Sequence, residues 1–312
     1  MNLVALPGTG RKTTQLGFGC AYLVSDGLGR IESRRLLDEA YDSGIRHFDT
    51  APRYGQGFNE ELLGRFFACH KGEITVTTKY GLLPPTQNKR IIDAIRRRYK
   101  FFPGFLFGPM GGKKASYRVA EAKASLAESL RKLQLDHIDL FLMHEPEPSD
   151  LRNDGLLRFL EESQKAGQIG SFGIGSTEAN VSKLYAQRRP YCPVMMFEWG
   201  CHKPKIDLTG SYRIHFRSAA PAEKVFKERL SKNPAEMRSW SDAVGLDLTE
   251  ADNLYALCLR AAMASYPESI VLFSSRYSQH IRRNVEIAED RSFDVPTTKF
   301  LGLVNGAQSK AK

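Results

Sequence analysis

The sequence of 312 residues has few cysteines, and their spacing suits neither a disulfide framework nor a metal site. It contains five, at positions 20, 69, 192, 201 and 258, with no Cys-x-x-Cys pair and no Cys/His spacing typical of zinc. A sparse, odd-numbered set is typical of reduced, buried thiols in a cytosolic protein. We therefore expect free cysteines and no metal centre.

Long apolar runs are also absent from the sequence. No stretch approaches the ~20 apolar residues that a helix needs to cross a bilayer. The first residues, MNLVALPGTG, lack the basic segment and apolar run of a signal peptide. We therefore expect a soluble, cytoplasmic protein that does not bind membranes.

Basic residues outnumber acidic ones, and the formal net charge is +10. The densest basic segment is RRRYKFF, at residues 96–102. Basic residues among aromatic ones can bind single-stranded nucleic acid, and a basic rim can attract an anionic cofactor or substrate. We favour a third interpretation, a solvated loop or helix face, because the other Lys and Arg residues are spread along the chain.

Short β-type segments alternate with amphipathic helical segments along the whole sequence. This alternation predicts βαβ units and a parallel sheet, and eight strands are what a closed barrel requires. We therefore predict an α/β fold, a (β/α)8 TIM barrel that forms a single domain over residues 1–312. We also expect a short N-terminal β-hairpin and long loops at the C-terminal face. The predicted strands begin at Gln15, Ile45, Glu73, His137, Ile169, Pro193, Tyr212 and Ser269.

Polar residues and glycines next to the periodic segments predict where helices begin and end. Asn59 and Ser116 precede such segments, so we predict both as N-cap residues. The helix that begins near Ile31 is predicted to end before Gly44, which suits the left-handed position after a helix. The pattern is weak over residues 218–265. The basic stretch at residues 81–115, rich in Pro and Gly, is predicted to cover the barrel mouth.

Four polar residues fall at or just beyond predicted strand ends: Asp49, Tyr54, Lys79 and His144. In a barrel of this kind the active site lies at the C-terminal ends of the strands. Taken alone, Asp49 could cap a turn, Tyr54 could pack and Lys79 could be a surface charge. His144 could be a core histidine with satisfied hydrogen bonds.

Together, the four side chains suit proton transfer at a carbonyl group. A tyrosine hydroxyl has an ordinary pKa of about 10, and a neighbouring lysine cation stabilises the phenolate and lowers that pKa. An aspartate beside the lysine keeps it in place and charged, and a histidine can orient a substrate carbonyl. The set holds no nucleophile and no metal cluster, so the hydride for reduction must come from a diffusible cofactor.

The segments that carry these residues resemble known motifs. FDTAPRYG at residues 48–55, TTKYG at residues 77–81 and SLAESLRKLQLDHIDLFLMHEP at residues 125–146 are similar to motifs of the aldo-keto reductase superfamily. They occur in the same order, and the likeness runs from the LGFG that starts at Leu16 to the last predicted helix.

This resemblance implies roles for the four polar residues. By position, Asp49, Tyr54, Lys79 and His144 match the catalytic residues of that family. Tyr54 is then the general acid for reduction and Lys79 its pKa partner. His144 is the residue that orients the carbonyl.

The resemblance also implies a site for the adenosine end of NADP(H). The segment SSRYSQHIRRN, which begins at Ser274, is similar to the family segment that binds this end. Ser275 and Arg276 would hold the 2′-phosphate, because a serine–arginine pair at a helix start offers several anion-binding donors. Asn284 would contact the adenine, and His280 lies within the same predicted site. The alternative is that the arginines of this segment form an exposed helix face.

The predicted nicotinamide end departs from the common family pattern. Many members have Ser-Asn after the fifth strand and Gln in the sixth, whereas this sequence has Gly175-Ser176 and Met195-Met196. After the seventh strand an aromatic residue often stacks on the nicotinamide, and Arg217 occupies the position that we align with it. We predict Ser176 as a carboxamide ligand and Arg217 as a residue of the cofactor site.

These observations predict an NADP(H)-dependent aldo-keto reductase that acts on a small-molecule aldehyde, ketone or sugar, as a monomer or weak oligomer. NAD is the alternative cofactor, because DTAPxYGxG also resembles members that oxidise aldoses. A second alternative is a non-catalytic, cofactor-sensing binding protein on the same scaffold, suggested by the altered nicotinamide end. A nucleic-acid binder, the most distant alternative, depends on residues 96–102 alone.

Overall fold

A computed structural model describes residues 1–24, 28–82 and 115–310. The chain begins with an antiparallel hairpin of β1 (Leu3–Ala5) and β2 (Lys12–Thr14). Val4 in β1 packs, together with Leu6, against the apolar side chains inside the barrel that follows. The predicted N-terminal hairpin is therefore confirmed, and it closes one end of the barrel interior.

Eight parallel strands form a closed barrel within the described part of the chain. They pair in sequence order, and the last strand pairs with the first to close the ring. All eight predicted strands are present, so the predicted α/β fold, a (β/α)8 TIM barrel, is confirmed. The strands are β3 (Leu16–Gly19), β4 (His47–Asp49), β5 (Thr75–Tyr80), β6 (Ile138–His144), β7 (Ile169–Gly175), β8 (Val194–Glu198), β9 (Tyr212–Phe216) and β10 (Ile270–Phe273).

Helices follow the strands on the outside of the barrel. The region over residues 218–265, where the sequence pattern was weak, contains three of them. Residues 83–114, which include the basic segment and most of the predicted mouth loop, lie outside the described residues. The described helices are α1 (Arg30–Asp42), α2 (Asn59–Phe67), α3 (Val119–Leu133), α4 (Asp154–Lys165), α5 (Glu178–Gln187), α6 (Ala220–Ser231), α7 (Pro234–Val244), α8 (Ala251–Ser265), α9 (Ser278–Glu289) and α10 (Asp294–Lys310).

Both faces of the barrel strands are buried. Alternate residues such as Leu140, Leu142 and Met196 form an inner apolar cluster. Their neighbours, such as Phe141 and Met143, belong to the larger cluster between strands and helices. Parallel strands covered on both sides have near-continuous apolar sequences, which explains why LFLM and VMMF read as unbroken runs.

Two predicted helix caps are wrong. Asn59 is the first residue of α2, and its side-chain amide donates to the Cys20 carbonyl at 2.6 Å instead of capping the helix. Ser116 lies three residues before α3, because its backbone N–H bonds to the Gly81 carbonyl at 2.9 Å. The predicted end of α1 is confirmed, since Gly44 follows the helix with φ at +95°.

The described residues bear on the expectations about cysteines, metal sites and membrane spans. All five cysteines are free thiols. In the described ranges no cluster of three or more His, Cys, Asp or Glu side chains could hold a metal ion. None of the described helices is long and apolar enough to span a membrane.

Candidate active site

Three of the four predicted catalytic residues come from neighbouring barrel strands. Asp49 is the last residue of β4, Lys79 is the next-to-last residue of β5, and His144 is the last residue of β6. Tyr54 lies in a short helical turn that begins five residues after β4. Since parallel strands end on the same side of a barrel, these side chains converge at one mouth.

The turn after β4 has an unusual backbone that presents Tyr54. Gly55, Gln56 and Gly57 follow with φ angles of +54°, +58° and +89°. Glycine adopts this left-handed region readily, whereas other residues do so at a cost. A Cβ atom on Gly55 would also lie 2.0 Å from Oδ1 of Asn59. The sequence Tyr-Gly-x-Gly-x-Asn therefore fits a turn held between Tyr54 and the Asn59 side chain.

Lys79 connects the polar residues of the mouth. Its Nζ donates to Asp49 Oδ1 at 2.6 Å, to the Thr50 carbonyl at 2.9 Å and to the Tyr54 hydroxyl at 3.4 Å. The Lys79 and Asp49 side chains are only 3% and 4% exposed. Taking a charge out of water is costly unless it is paired and hydrogen-bonded, so this buried ion pair depends on all three bonds.

Burial is the largest single influence on the pKa values of Asp49, Tyr54 and Lys79. It raises the pKa of Tyr54, against the opposing effect of the Lys79 cation. It also raises the pKa of Asp49, again against Lys79. For Lys79 burial acts in the lowering direction, but Asp49 and Tyr54 together raise its pKa. Lys79 does act to lower the pKa of Tyr54, as predicted. The predicted net lowering of that pKa is wrong, because the effect of burial is larger.

His144 stands beside Tyr54 at the mouth. The two rings are perpendicular, with centroids 5.9 Å apart. The backbone carbonyl of His144 accepts a hydrogen bond from the Tyr117 hydroxyl at 2.7 Å. The next residue, Glu145, has φ at +59°, so the chain turns sharply where the strand ends.

A cavity of about 680 Å³ opens above these residues. Its polar wall contains all four predicted catalytic residues, and its apolar wall includes Met196, Phe216, Leu259 and Leu272. Ligand sites are commonly apolar clefts of several hundred Å³ with a few converging polar groups. The predicted cofactor residues Ser176, Arg217 and Ser274 also line it.

Two serine hydroxyls in this cavity are buried without a partner. Ser176 and Ser218 are 4% and 2% exposed, and neither Oγ has a hydrogen-bond partner among the described residues. Buried hydroxyls are normally hydrogen-bonded, so both are suited to a polar ligand in the cavity. Ser218 was not identified from the sequence. Its position, between the end of β9 and the start of α6, was the available signal.

An aromatic residue at the end of the seventh barrel strand, β9, was also not identified from the sequence. Phe216 packs with the inner cluster and lines the cavity. The side chain of Arg217, the residue aligned with the stacking position, is 67% exposed and paired with Glu198 at 2.8 Å. Phe216, the last residue of β9, is therefore the aromatic side chain beside the cavity, whereas Arg217 follows it with φ at +54° and lines the cavity with a largely exposed side chain.

Of the first three residues predicted to bind the adenosine end, only Ser274 belongs to the cavity lining formed by described residues. Ser274 lines the cavity close to Gly19, where a Cβ atom would lie 2.5 Å from its Oγ. The Ser275 hydroxyl is engaged with the backbone N–H and carbonyl of Tyr277, both at 3.0 Å. The Arg276 guanidinium lies 5.1 Å from the ring centroid of Tyr22, which lines the cavity.

The last two predicted ligands lie on α9. Asn284 is buried, accepts from the Tyr255 hydroxyl at 2.7 Å and donates to the His280 carbonyl at 2.7 Å. His280 is exposed, with its ring 5.2 Å from that of Tyr277. Ser275, Arg276, His280 and Asn284 do not belong to the lining of the cavity formed by described residues. Their roles stay predictions.

Comparison with known proteins finds a matching family and similar sequences. The sequence profile of the Aldo/keto reductase family matches residues 15–202. A D-threo-aldose 1-dehydrogenase from a Pseudomonas species is 33% identical over 189 residues, which cover 55% of this chain and 53% of the relative. The chain spans 53% of the length of that relative, 66% of an uncharacterized oxidoreductase YqkF from Bacillus subtilis and 55% of a pyridoxal 4-dehydrogenase from Microbacterium luteolum.

Solved structures share the fold over nearly the whole chain. The holo form of aldo-keto reductase AKR11C1 from Bacillus halodurans superposes with a TM-score of 0.66 at 22% identity, covering 96% of both chains. An aldo/keto reductase from Klebsiella pneumoniae, solved with NADP and acetate, gives a TM-score of 0.61 at 16% identity and covers 92% of this chain and 90% of that one. At these identities the likeness is one of fold.

Proposed function

Because the chain belongs to the aldo/keto reductase family, we propose that it interconverts a carbonyl and an alcohol with a nicotinamide cofactor, and that Tyr54 is its general acid and base. The observation that carries this proposal is the contact of the Lys79 ammonium with both Asp49 and Tyr54. These side chains and His144 face the same cavity. The whole chain then acts as one barrel domain.

Tyr54 supplies and receives the proton. Since burial raises its pKa above the ordinary value, Tyr54 is protonated at neutral pH and can donate to a carbonyl oxygen. The resulting phenolate is stabilised by the Lys79 cation. Asp49 keeps that cation in place and charged. In the oxidation direction the phenolate must form first, so the rate should rise with pH.

His144 orients the reacting carbonyl. Its ring stands edge-on to that of Tyr54, and both residues line the same cavity, so a carbonyl oxygen bound in that cavity can meet both. Holding reactants in one geometry lowers the barrier by avoiding a loss of freedom during the reaction. The substrate is then a small aldehyde, ketone or sugar whose carbonyl fits beside these two rings.

The described residues fit a nicotinamide cofactor. A bound nicotinamide cofactor supplies or accepts the hydride. The hydroxyls of Ser176 and Ser218, which have no hydrogen-bond partner in the described part of the chain, offer donors to its polar groups. The Phe216 ring offers an apolar surface. We assign NADP(H) rather than NAD(H) because the Arg276 guanidinium, beside Tyr22 at the cavity rim, suits a 2′-phosphate.

Aldose oxidation is the second candidate function. The observation that favours it is the 33% identity with a D-threo-aldose 1-dehydrogenase. The same residues would act in the reverse direction, with Tyr54 as the base. A panel of aldehydes, ketones and sugars, assayed in both directions with both cofactors, separates the two candidates.

The central test is Tyr54→Phe. We expect it to remove nearly all turnover on this panel while the Kd for NADPH, measured by reduced-nicotinamide fluorescence, stays within about twofold. Tyr185→Phe is the matched control, because Tyr185 bonds a backbone carbonyl outside the cavity lining. Retained turnover in Tyr54→Phe would mean that another group supplies the proton. Binding of NADPH without turnover by the unsubstituted protein would indicate a cofactor-sensing protein instead.

A further inference from the structure

Tyr117 links the two strands that carry Lys79 and His144. It lies between β5 and α3, outside both strands, and its side chain is 7% exposed. We propose that Tyr117 is a positioning residue that sets the orientation of the His144 imidazole. Its effect on turnover rests on the proposed function, whereas its effect on His144 geometry does not.

The phenol of Tyr117 bonds the backbone of His144 directly. Its hydroxyl donates to the His144 carbonyl at 2.7 Å, a good distance for a hydrogen bond between two oxygens. His144 is the last residue of β6, so this carbonyl is at the point where the strand pairing stops. The bond therefore fixes the peptide group that follows the catalytic candidate.

The peptide group after His144 leads into an unfavourable backbone conformation that hydrogen bonds must stabilise. Glu145 has φ at +59°, a conformation that residues other than glycine adopt rarely and that is often found at functional sites. Its N–H donates to the Gly175 carbonyl at 2.7 Å. Tyr117 on one side and Gly175 on the other thus hold both polar groups of this strained peptide, and the direction of the His144 side chain depends on them.

The other end of Tyr117 is held by the Lys79 strand. Its ring is 6.2 Å from that of Tyr80, the last residue of β5, in an edge-on arrangement. A Cβ atom on Gly81, which has φ at +104°, would lie 2.1 Å from Cε1 of Tyr117. Because the ring fills the space beside a glycine, its position is set by the end of β5. Tyr117 therefore contacts the end of β5 through its ring and the end of β6 through its hydroxyl.

The Tyr117 phenol keeps its proton over the working range of most proteins. Burial, with smaller contributions from Asp150 and Glu147, raises its pKa well above the ordinary value. The Tyr117 hydroxyl therefore keeps its proton, and can donate it to the His144 carbonyl, at neutral pH. A structural donor of this kind should change the rate without adding a limb to the pH profile.

The first test measures geometry without turnover. Tyr117→Phe keeps the ring and removes only the donor, and Tyr185→Phe is a matched control that loses a 2.7 Å bond to the Thr209 carbonyl from an 8% exposed side chain. Ring signals of the seven histidines are followed by NMR in ¹⁵N-histidine-labelled protein, and His144 is assigned from its loss in His144→Ala. We expect Tyr117→Phe to shift the His144 ring signals and leave distant ones in place.

The second test is a double-mutant cycle on turnover. Losing one hydrogen bond of about 1 kcal/mol corresponds to about fivefold in rate, so we expect Tyr117→Phe to lower kcat by about five- to tenfold. The Kd for NADPH and the thermal midpoint should match those of Tyr185→Phe. In the His144→Ala background the same substitution should change kcat by less than twofold, since the residue it positions is gone.

The outcomes separate the proposal from the proposed function. Unshifted His144 signals in Tyr117→Phe, or equal rate losses with and without the His144 imidazole, would overturn the positioning role. If the unsubstituted protein shows no dinucleotide-dependent turnover, the proposed function fails, and the NMR comparison still decides whether Tyr117 positions His144. A shifted signal together with non-additive rates supports both.

Discussion

Replacing Lys79 by Met should remove the cation on which the candidate active site depends. Lys79 makes three hydrogen bonds and is 3% exposed, so no water takes its place readily. Breaking a buried ion pair by removing one partner costs about 3–5 kcal/mol, because the other charge is left without compensation. We expect Lys79→Met to lose about this much free energy of unfolding at pH 7. The double variant Lys79→Met/Asp49→Asn should recover most of it.

The same substitution should affect Tyr54 through charge. At an effective dielectric constant of about 20, a cation 3.4 Å from the Tyr54 oxygen stabilises the phenolate by about 5 kcal/mol, before the opposing effect of Asp49. Without Lys79 the pKa of Tyr54, already raised by burial, should rise further. Alcohol oxidation, which needs the phenolate, should therefore fall at least 100-fold in both the single and the double variant.

Urea unfolding and steady-state rates measured over a range of pH test both effects. In Lys79→Met the buried Asp49 carboxyl has a folded-state pKa above its unfolded value, because burial raises it and no cation opposes this. Protonation then stabilises the folded state, so the loss of stability should shrink as the pH falls from 8 to 5. A loss below about 1 kcal/mol at pH 7, or oxidation reduced by less than tenfold, would refute the reasoning.

Two further predictions concern buried charge and cofactor choice. His215 is buried, its ring nitrogens have no partner among the described residues, and burial lowers its pKa to about 3. In the unfolded chain this histidine has its ordinary pKa of about 6.5, so below that pH the unfolded state takes up a proton and the folded state does not. The histidine therefore lowers the free energy of unfolding by about 2 kcal/mol at pH 5. His215→Phe should be more stable by urea unfolding, increasingly so as the pH falls, and lower stability at pH 5 would contradict this. Arg276→Ala should weaken NADPH binding at least tenfold more than NADH binding by fluorescence titration. Arg282→Ala, which loses an ion pair with Glu39, should affect both equally. Equal losses in Arg276→Ala would argue against a 2′-phosphate contact.

The barrel and its catalytic end were predictable because they depend on repeating features of the sequence. Strand periodicity identified all eight barrel strands, and their parallel order brings the strand ends together whatever the loops do. Asp49, Lys79 and His144 therefore had to lie near one another once the strands were known. Tyr54 was placed at the same end by its position just beyond the second predicted strand and by the resemblance of FDTAPRYG to a family motif.

Single side-chain orientations could not be read in the same way. Whether Phe216 points into the barrel depends on the register of β9, because a shift of one residue exchanges the two faces of a strand. Asn59 and Ser116 both look like helix caps in sequence. Both are bound instead by segments distant in the chain, through the Cys20 and Gly81 carbonyls. Local patterns do not contain those partners.

The pKa of Tyr54 could not be predicted from its pairing with Lys79 alone, even though both residues were identified correctly. Lys79 acts on it in the expected direction, but the burial that brings the two together has the larger effect. A buried hydroxyl that keeps its proton suits a donor for carbonyl reduction at neutral pH. The same burial makes the phenolate, and hence oxidation, depend on every hydrogen bond that Lys79 makes. In the proposed reaction, the pH at which the phenolate forms therefore depends on how fully the Lys79 cation is held as well as on Tyr54 itself.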